Sequence, residues 1–474
     1  MKDANQGEDR SGTARPREGD LTQGPIVSTL LRFSIPTMIA NLLQTLGGTI
    51  NTIWVGQLIG GGAVAATANA NLVVFLFIAA VFGCGMAATV RIGQRFGARD
   101  IDGARRSFGS GTGFCTLAAT AAATLCFIFG DQMLKVLGTP QAIHDDALIY
   151  LHIVLISLPF GAASMVVSMG LRGAGDAKTP LYAMILSTVV GTVLNPLFIL
   201  GWGPVPAMGI GGSALANAIG AFTGVTVMVS WIYWRDLPLR LKSRELLYLI
   251  PDRAELSYIV AKGLPMGAQT MITSAAGILM FGMVNREGLT AAAAYAAVLQ
   301  IWNYIQMPAF SIGTGVSAMV AQSMGAGDHA RVGEVTRAGV LTNIFVTGGL
   351  AMIILLFDAP LLGLFLGHGS PAVTLAEHVQ LIGTWTFVLT GIVMVLNGTM
   401  RSYGVVVTQL IVMVIAMYPA RLGFYWLTYP SLGIEAVWWS YPVGSIMLLV
   451  LTLLSYNFGG WRKKQAHFQP ALAA

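Results

Sequence analysis

Runs of mainly apolar residues follow one another from Val27 almost to Tyr456, each broken by a short polar or glycine-rich segment. Crossing the hydrocarbon core of a membrane takes about 20 mainly apolar residues. Twelve runs fit, at 27–57, 63–90, 108–130, 145–171, 180–202, 208–234, 257–285, 291–320, 338–358, 373–400, 405–428 and 433–457. They are long and uniformly apolar, whereas barrel strands would be short and alternate between lipid-facing and lumen-facing residues, so helices are predicted. The expected fold class is all-α: a polytopic membrane protein of twelve transmembrane helices.

The pattern also repeats. GQRFGARD at 93–100 follows the second run, and AQSMGAGD at 321–328 follows the eighth. Sliding the chain on itself by about 229 residues also aligns FSIP at 33–36 with KGLP at 262–265. The same shift sets GLRGAG at 170–175 against GTMRSYG at 398–404 and superposes Arg172 on Arg401. Several anchors in one order imply two homologous six-helix bundles, 27–234 and 257–457, joined by a charged linker at 235–256. Six is even, so both bundles enter the membrane in the same direction and enclose a central cavity. Tails at 1–26 and 458–474 flank them. The glycines of the octet permit tight turns and its Arg and Asp are expected to stay wet, so Gln94 and Gln322 fall at structural corners.

Composition adds that 55% of residues are hydrophobic and 10% charged, too little polar surface for a soluble globule. The formal charge of +6 is not a nucleic-acid footprint. Arg and Lys cluster after every second run, while the opposite loops hold only Lys135 and Arg286. The positive-inside rule therefore places both termini in the cytoplasm. The first 25 residues lack an apolar core and a cleavage-like site, which predicts a disordered cytoplasmic arm. Cys84, Cys115 and Cys126 lie inside predicted helices without the spacing of a metal site or a disulfide framework.

The chain resembles the multidrug and toxic compound extrusion (MATE) transporters of the MOP flippase superfamily. The resemblance covers about Leu30 to Tyr456 and rests on FSIPTMIANLLQTLGGTINTIWVG, IGQRFGARD, GAGDAKTP, NPLFILGWGPVPAMGIGGSALA and MVAQSMGAGD in that order. It implies no enzyme and no cofactor. The implied activity is secondary active export, by alternating access, of amphipathic and often cationic organic compounds in exchange for protons or sodium ions. A multi-pass protein of the cytoplasmic (inner) membrane is expected, acting as a monomer.

The family pattern carries an aspartate in the first helix where this chain has Asn51, and often another where it has Asn195; some relatives place a glutamate where it reads Thr273. None of the 21 acidic residues falls at the middle of a predicted helix. Asn51 and Asn195 can exchange hydrogen bonds or lend an oxygen to sodium, but neither can titrate. His152 titrates in a useful range, although a hydrogen bond to a neighbouring helix is the expected role. Arg421 is the deepest basic residue by position, with an expected ion pair to Glu435 across the last hairpin.

For the substrate path, LQIWNYIQMPAF on the eighth helix offers Gln300, Trp302, Asn303, Tyr304 and Met307 ahead of an expected kink at Pro308. Met and aromatic side chains suit promiscuous recognition. Asn41, Gln44 and Asn51 share one face of the first helix, as Gln269 and Thr273 share one face of the seventh. Pro36 and Pro265 mark hinges or tolerated kinks. Two alternatives stay open: a lipid-linked precursor flippase, which should show a strongly cationic cavity, and a weakly coupled facilitator. No His-Glu helix motif, GxSxG or GxxxxGK[ST] supports an enzyme or an ATP-driven pump.

Overall fold

A computed structural model describes residues 19–202, 206–367 and 370–461. Most of the predicted N-terminal arm and the basic cluster Arg462, Lys463 and Lys464 lie outside the described residues. The fold is all-α. Helices α1 (Ile26–Leu58), α2 (Gly61–Gly97), α3 (Ile101–Val136), α4 (Gln141–Gly173), α5 (Lys178–Leu200) and α6 (Gly209–Trp234) form the first bundle. A short 3-10 turn (Ser243–Leu249) leads to α7 (Arg253–Asn285), α8 (Leu289–Gly325), α9 (His329–Leu356) and the nine-residue α10 (Asp358–Leu366). Then come α11 (Pro371–Gly383), α12 (Thr386–Ser402), α13 (Val407–Ile415), a π-helical stretch (Ala416–Leu422), α14 (Gly423–Leu432) and α15 (Glu435–Phe458).

Among the described residues ten helical segments are long and apolar enough to cross a membrane, and eleven if α11 and α12, bent by 43°, make one span. At 37 residues α8 matches α2 in length but is not among them. Pro308 lies inside α8, which runs unbroken through it. The second bundle does bend between α11 and α12, at Thr384 and Trp385. Large apolar side chains such as Ile128, Phe345 and Leu364 are exposed on the outside of the bundles, where lipid takes the place of a core.

One core cluster draws residues from Val55 to Ile259 and a second from Met280 to Trp438, so each bundle packs largely on itself. The bundles meet at the end that carries the octets. Gln94 is fully buried and donates from Nε2 to the Ser402 carbonyl (2.7 Å). Gln322, equally buried, donates to the Gly173 carbonyl (3.1 Å) and the Gly19 carbonyl (3.2 Å), and its Oε1 accepts from the Leu21 amide (2.9 Å). Gly173 and Ser402 are repeat-related positions, so the two glutamines make the same reach in opposite directions. Gly97 packs on the Gln322 carbonyl and Gly325 on the Gln94 carbonyl; a Cβ at either site would strike that oxygen. The octet glutamines, expected at structural corners, are buried clamps between the bundles. The aspartates behave as corner residues, since Asp100 caps α3 by accepting from Gly103 N and Asp328 caps α9 by accepting from Arg331 N.

A second contact has no repeat-related copy. Glu255, in the first turn of α7 and 1% exposed, pairs with Arg95 (2.5 Å) and Arg91 (3.4 Å) of α2 and accepts from Ser107 of α3. The inter-bundle hydrogen bonds among the described residues all fall at this end. Toward the opposite end, glycines such as Gly48, Gly61 and Gly277 face open space.

Truncating a clamp orphans several buried groups, at about 1–3 kcal/mol each. Gln322→Ala is expected to lose at least about 2 kcal/mol of stability, read as a lower unfolding midpoint in detergent. Thr49→Ala, at an exposed position that bonds only within α1, should leave the midpoint unmoved; equal midpoints for the two variants would rule out the clamp.

Candidate functional site

A cavity of about 450 Å³ lies inside the first bundle, between α1, α2, α4, α5 and α6, and among the described residues only Phe310 of α8 reaches it from the second. Small residues make the room. Gly47 and Gly48 on α1, Gly161 on α4, Gly191 on α5, and Gly220 and Gly224 on α6 all border it, and Ser187 Oγ ties α5 to α6 by donating to the Gly220 carbonyl (2.7 Å).

At the end away from the octets, Asn51 is the hub. Its Oδ1 accepts from Asn195 Nδ2 (2.5 Å), Ser213 Oγ (2.8 Å) and Asn217 Nδ2 (3.1 Å). The Tyr150 hydroxyl reaches the same cluster, alongside Asn71. Asn195 is 1% exposed and its Oδ1 has no partner. Three donors on one oxygen would suit a carboxylate; here an amide occupies the place, so the cluster can ligate or hydrogen-bond but cannot take up a proton. About two turns and three turns back along α1, Gln44 and Asn41 face the same space, and their amides make no side-chain hydrogen bond among the described residues. The middle of the cavity is soft and apolar, with Met165, Met169, Phe82 and Phe310, the two rings 6.1 Å apart. Arg172 closes the octet end and is the one ionisable lining residue among those described.

Of the residues singled out from sequence, Asn41, Gln44, Asn51 and Asn195 are thus brought together. The eighth-helix set is placed elsewhere: Gln300, Trp302, Asn303, Tyr304 and Met307 do not border this cavity. Trp302 is buried in the second bundle, where its indole N–H donates to Thr384 Oγ1 (3.0 Å) and Gln380 Oε1 (3.2 Å). Gln269 donates to the Val406 carbonyl and Thr273 to the Gln269 carbonyl, both on the α7–α13 side of the second bundle. His152 stacks on Phe127 with ring centres 4.3 Å apart, outside the cavity, in place of the expected hydrogen bond.

The expected Arg421–Glu435 ion pair is not formed. Arg421 lies over the Tyr441 ring, 3.4 Å from its centre, while Glu435 pairs with His378 (3.0 Å). The π-helical stretch around Pro419 turns Arg421 into the bundle, and Glu435 at the start of α15 stays at the surface. Glu287 accepts from the Tyr429 hydroxyl. Nor is Arg421 the only deep arginine, since Arg172 borders the cavity. Ser213, Asn217 and Tyr150 escaped the sequence reading. The i, i+4 spacing of Ser213 and Asn217 was the available signal, but only the crossing of α6 over α1 joins them to Asn51.

A repeated helical bundle spanning the membrane, with a polar-ended chamber in one half, defines the class of multi-pass membrane transporters. The MatE family profile matches residues 36–197 and again 265–427, so the chain belongs to the MATE family, whose members are transporters and not enzymes. It is similar to Bacillus subtilis strain 168 YoeA, described as a probable multidrug resistance protein, at 32% identity over 91% of this chain and 94% of that one. It is also similar to NorM of Thermotoga maritima, likewise described as a probable multidrug resistance protein, at 26% identity over 92% of this chain and 93% of that one. Among solved structures, an outward-facing multidrug resistance MATE family transporter of the MOP superfamily superposes with a TM-score of 0.86, covering 94% of this chain and 99% of that one at 21% identity. These likenesses make the chain a membrane transporter of the MATE family.

Replacing the hub tests its role. Asn51→Leu strands three donors and is expected to lose about 2–3 kcal/mol, whereas Asn51→Asp, which keeps the acceptor, should stay within about 1 kcal/mol of the parent. Unfolding midpoints in detergent check this, and indifference to Leu would remove Asn51 from the hub.

Proposed function

We propose that the protein exports amphipathic organic compounds by alternating access, with the chamber of the first bundle as the transport site. It acts as a monomer in the cytoplasmic membrane, both termini on the cytoplasmic side. On this reading the octet end is cytoplasmic and closed, and the chamber communicates with the opposite face. Parting of the glutamine clamps as the bundles rock, with closure at the opposite face, would expose it to the cytoplasm in turn.

The observation that carries the coupling part is the Asn51 cluster. A proton needs a titratable acceptor, and no acidic side chain or histidine lines the chamber among the described residues. Sodium needs only oxygens of suitable spacing, and the amide and hydroxyl oxygens of Asn51, Asn195 and Ser213, one of them a buried acceptor without a partner, supply them. Sodium is therefore the proposed coupling ion. The missing carboxylate also favours a second reading, a facilitator that equilibrates its substrate without coupling. One arginine does not make the strongly cationic cavity expected of a pyrophosphate-lipid flippase.

Inside-out vesicles and a neutral fluorescent xanthene amphiphile separate these readings. Accumulation driven by a sodium gradient and not by a proton gradient is expected; equilibration without accumulation under either gradient establishes the facilitator. Asn51→Asp should add a response to the proton gradient.

A further inference from the structure

We propose that the chamber selects amphipathic substrates carrying an oxyanion, a carboxylate or a phosphate, which docks on Arg172; this rests on the chamber being the transport site, as proposed above. The substrate class differs from the organic cations that the family resemblance implies.

Charge is the first support. Arg172 is the only ionisable group lining the chamber among the described residues, and no carboxylate faces it. Its guanidinium has no hydrogen bond or ion pair within the described protein, and its Nε is buried without a partner. Arginine does not lose its proton in proteins. Arg172 is half-buried, and a partly buried cation without a counter-charge favours a ligand that brings one over a neutral ligand and opposes a cation. The planar fork of donors matches an oxyanion in bidentate fashion.

Geometry is the second. Arg172 sits at one end of the chamber, and next to it Met169 and Met165, with Phe82 and Phe310, offer adaptable thioethers and flat rings to an apolar body. An amphiphile with its anionic head on Arg172 would lay its body along this stretch and point its far end at the amides of Asn41 and Gln44. Arg172 also borders a second, much smaller space of about 20 Å³ with Thr314 and Ser317 of α8, so the head would lie at the junction of the two bundles.

The simplest competing role is stabilisation of a helix end, since Arg172 lies in the last turn of α4, where a cation favours the carbonyl terminus. Arg401 occupies the repeat-related place in the last turn of α12, with its Nε likewise buried and unpartnered, but it does not border the chamber. A helix-end role treats the two arginines alike; substrate selection involves Arg172 alone.

Three congeners of one xanthene dye, bearing a carboxylate, no charge or a quaternary ammonium, test this by fluorescence polarisation with the purified protein. The carboxylate form is expected to bind roughly tenfold or more tightly than the ammonium form, the factor that a hydrogen bond to a charged group supplies. Arg172→Gln should abolish the preference while keeping affinity for the neutral form, Arg172→Lys should retain part of it, and Arg401→Gln should leave it unchanged. Ser168→Asp, one helical turn away and also lining the chamber, places a counter-charge beside an intact Arg172 and should shift the preference toward the cation. It supplies the answer if Arg172→Gln does not fold. Equal binding of all three dyes, or a preference that survives both Arg172→Gln and Ser168→Asp, overturns the inference and leaves the exporter reading standing. Failure of every dye to bind overturns both.

Discussion

The architecture depends on a reciprocal contact at one end of the molecule. Two buried glutamines, Gln94 and Gln322, each reach across to a backbone carbonyl at the end of a helix in the other bundle. Two glycines, Gly97 and Gly325, let the backbones come close enough for that reach. In a membrane the attraction between helices owes little to the hydrophobic effect, because lipid is as apolar as leucine; close packing and polar contacts have to hold the bundles together. Concentrating those contacts at one end leaves the other end free to part, and the chamber sits on the freed side.

The same constraint explains why the octet occurs twice. Each copy ends one helix, caps the next with its aspartate and clamps the partner bundle with its glutamine, and the third residue of the turn takes a left-handed conformation in both, at Arg99 and at Gly327. A duplicated chain supplies both halves of the contact from one design. Symmetry is then broken twice. Glu255 adds an ionic contact to α2 that has no counterpart, and the enclosed space forms in the first bundle, while the second fills its interior with Trp302, Tyr295, Tyr441, Trp438 and Arg421. Bulky aromatic side chains in one half and glycines in the other decide which half can hold a ligand.

Inside the chamber the charge pattern is the reverse of what export of cations coupled to protons would require. Neutral amides gather at one end around Asn51, and the single charge among the described lining residues, Arg172, is positive and lies at the other. A polar cluster without a titratable group can bind an ion without exchanging a proton, and an unpaired arginine invites an anion. On the proposed reading the two ends take separate tasks, ion and substrate, within one continuous space.

Hydropathy alone determined the all-α class and the helical segments, because a span of lipid forces every backbone polar group into a helix and writes that demand as length and apolarity. The repeat was equally legible, since motif spacing survives without any contact being known, and so was the face shared by Asn41, Gln44 and Asn51, which lies on one helix. Only the tertiary structure decided what those faces meet. It buried Trp302 among its own neighbours, turned Arg421 onto Tyr441 and away from Glu435, and brought Ser213 and Asn217 from 162 and 166 residues away to Asn51. Arg172 reads in the sequence as a loop-side charge, because it ends a helix. Its place beneath a chamber follows from the glycines of α5 and α6, which draw those helices together beside α4, and no local pattern carries that information.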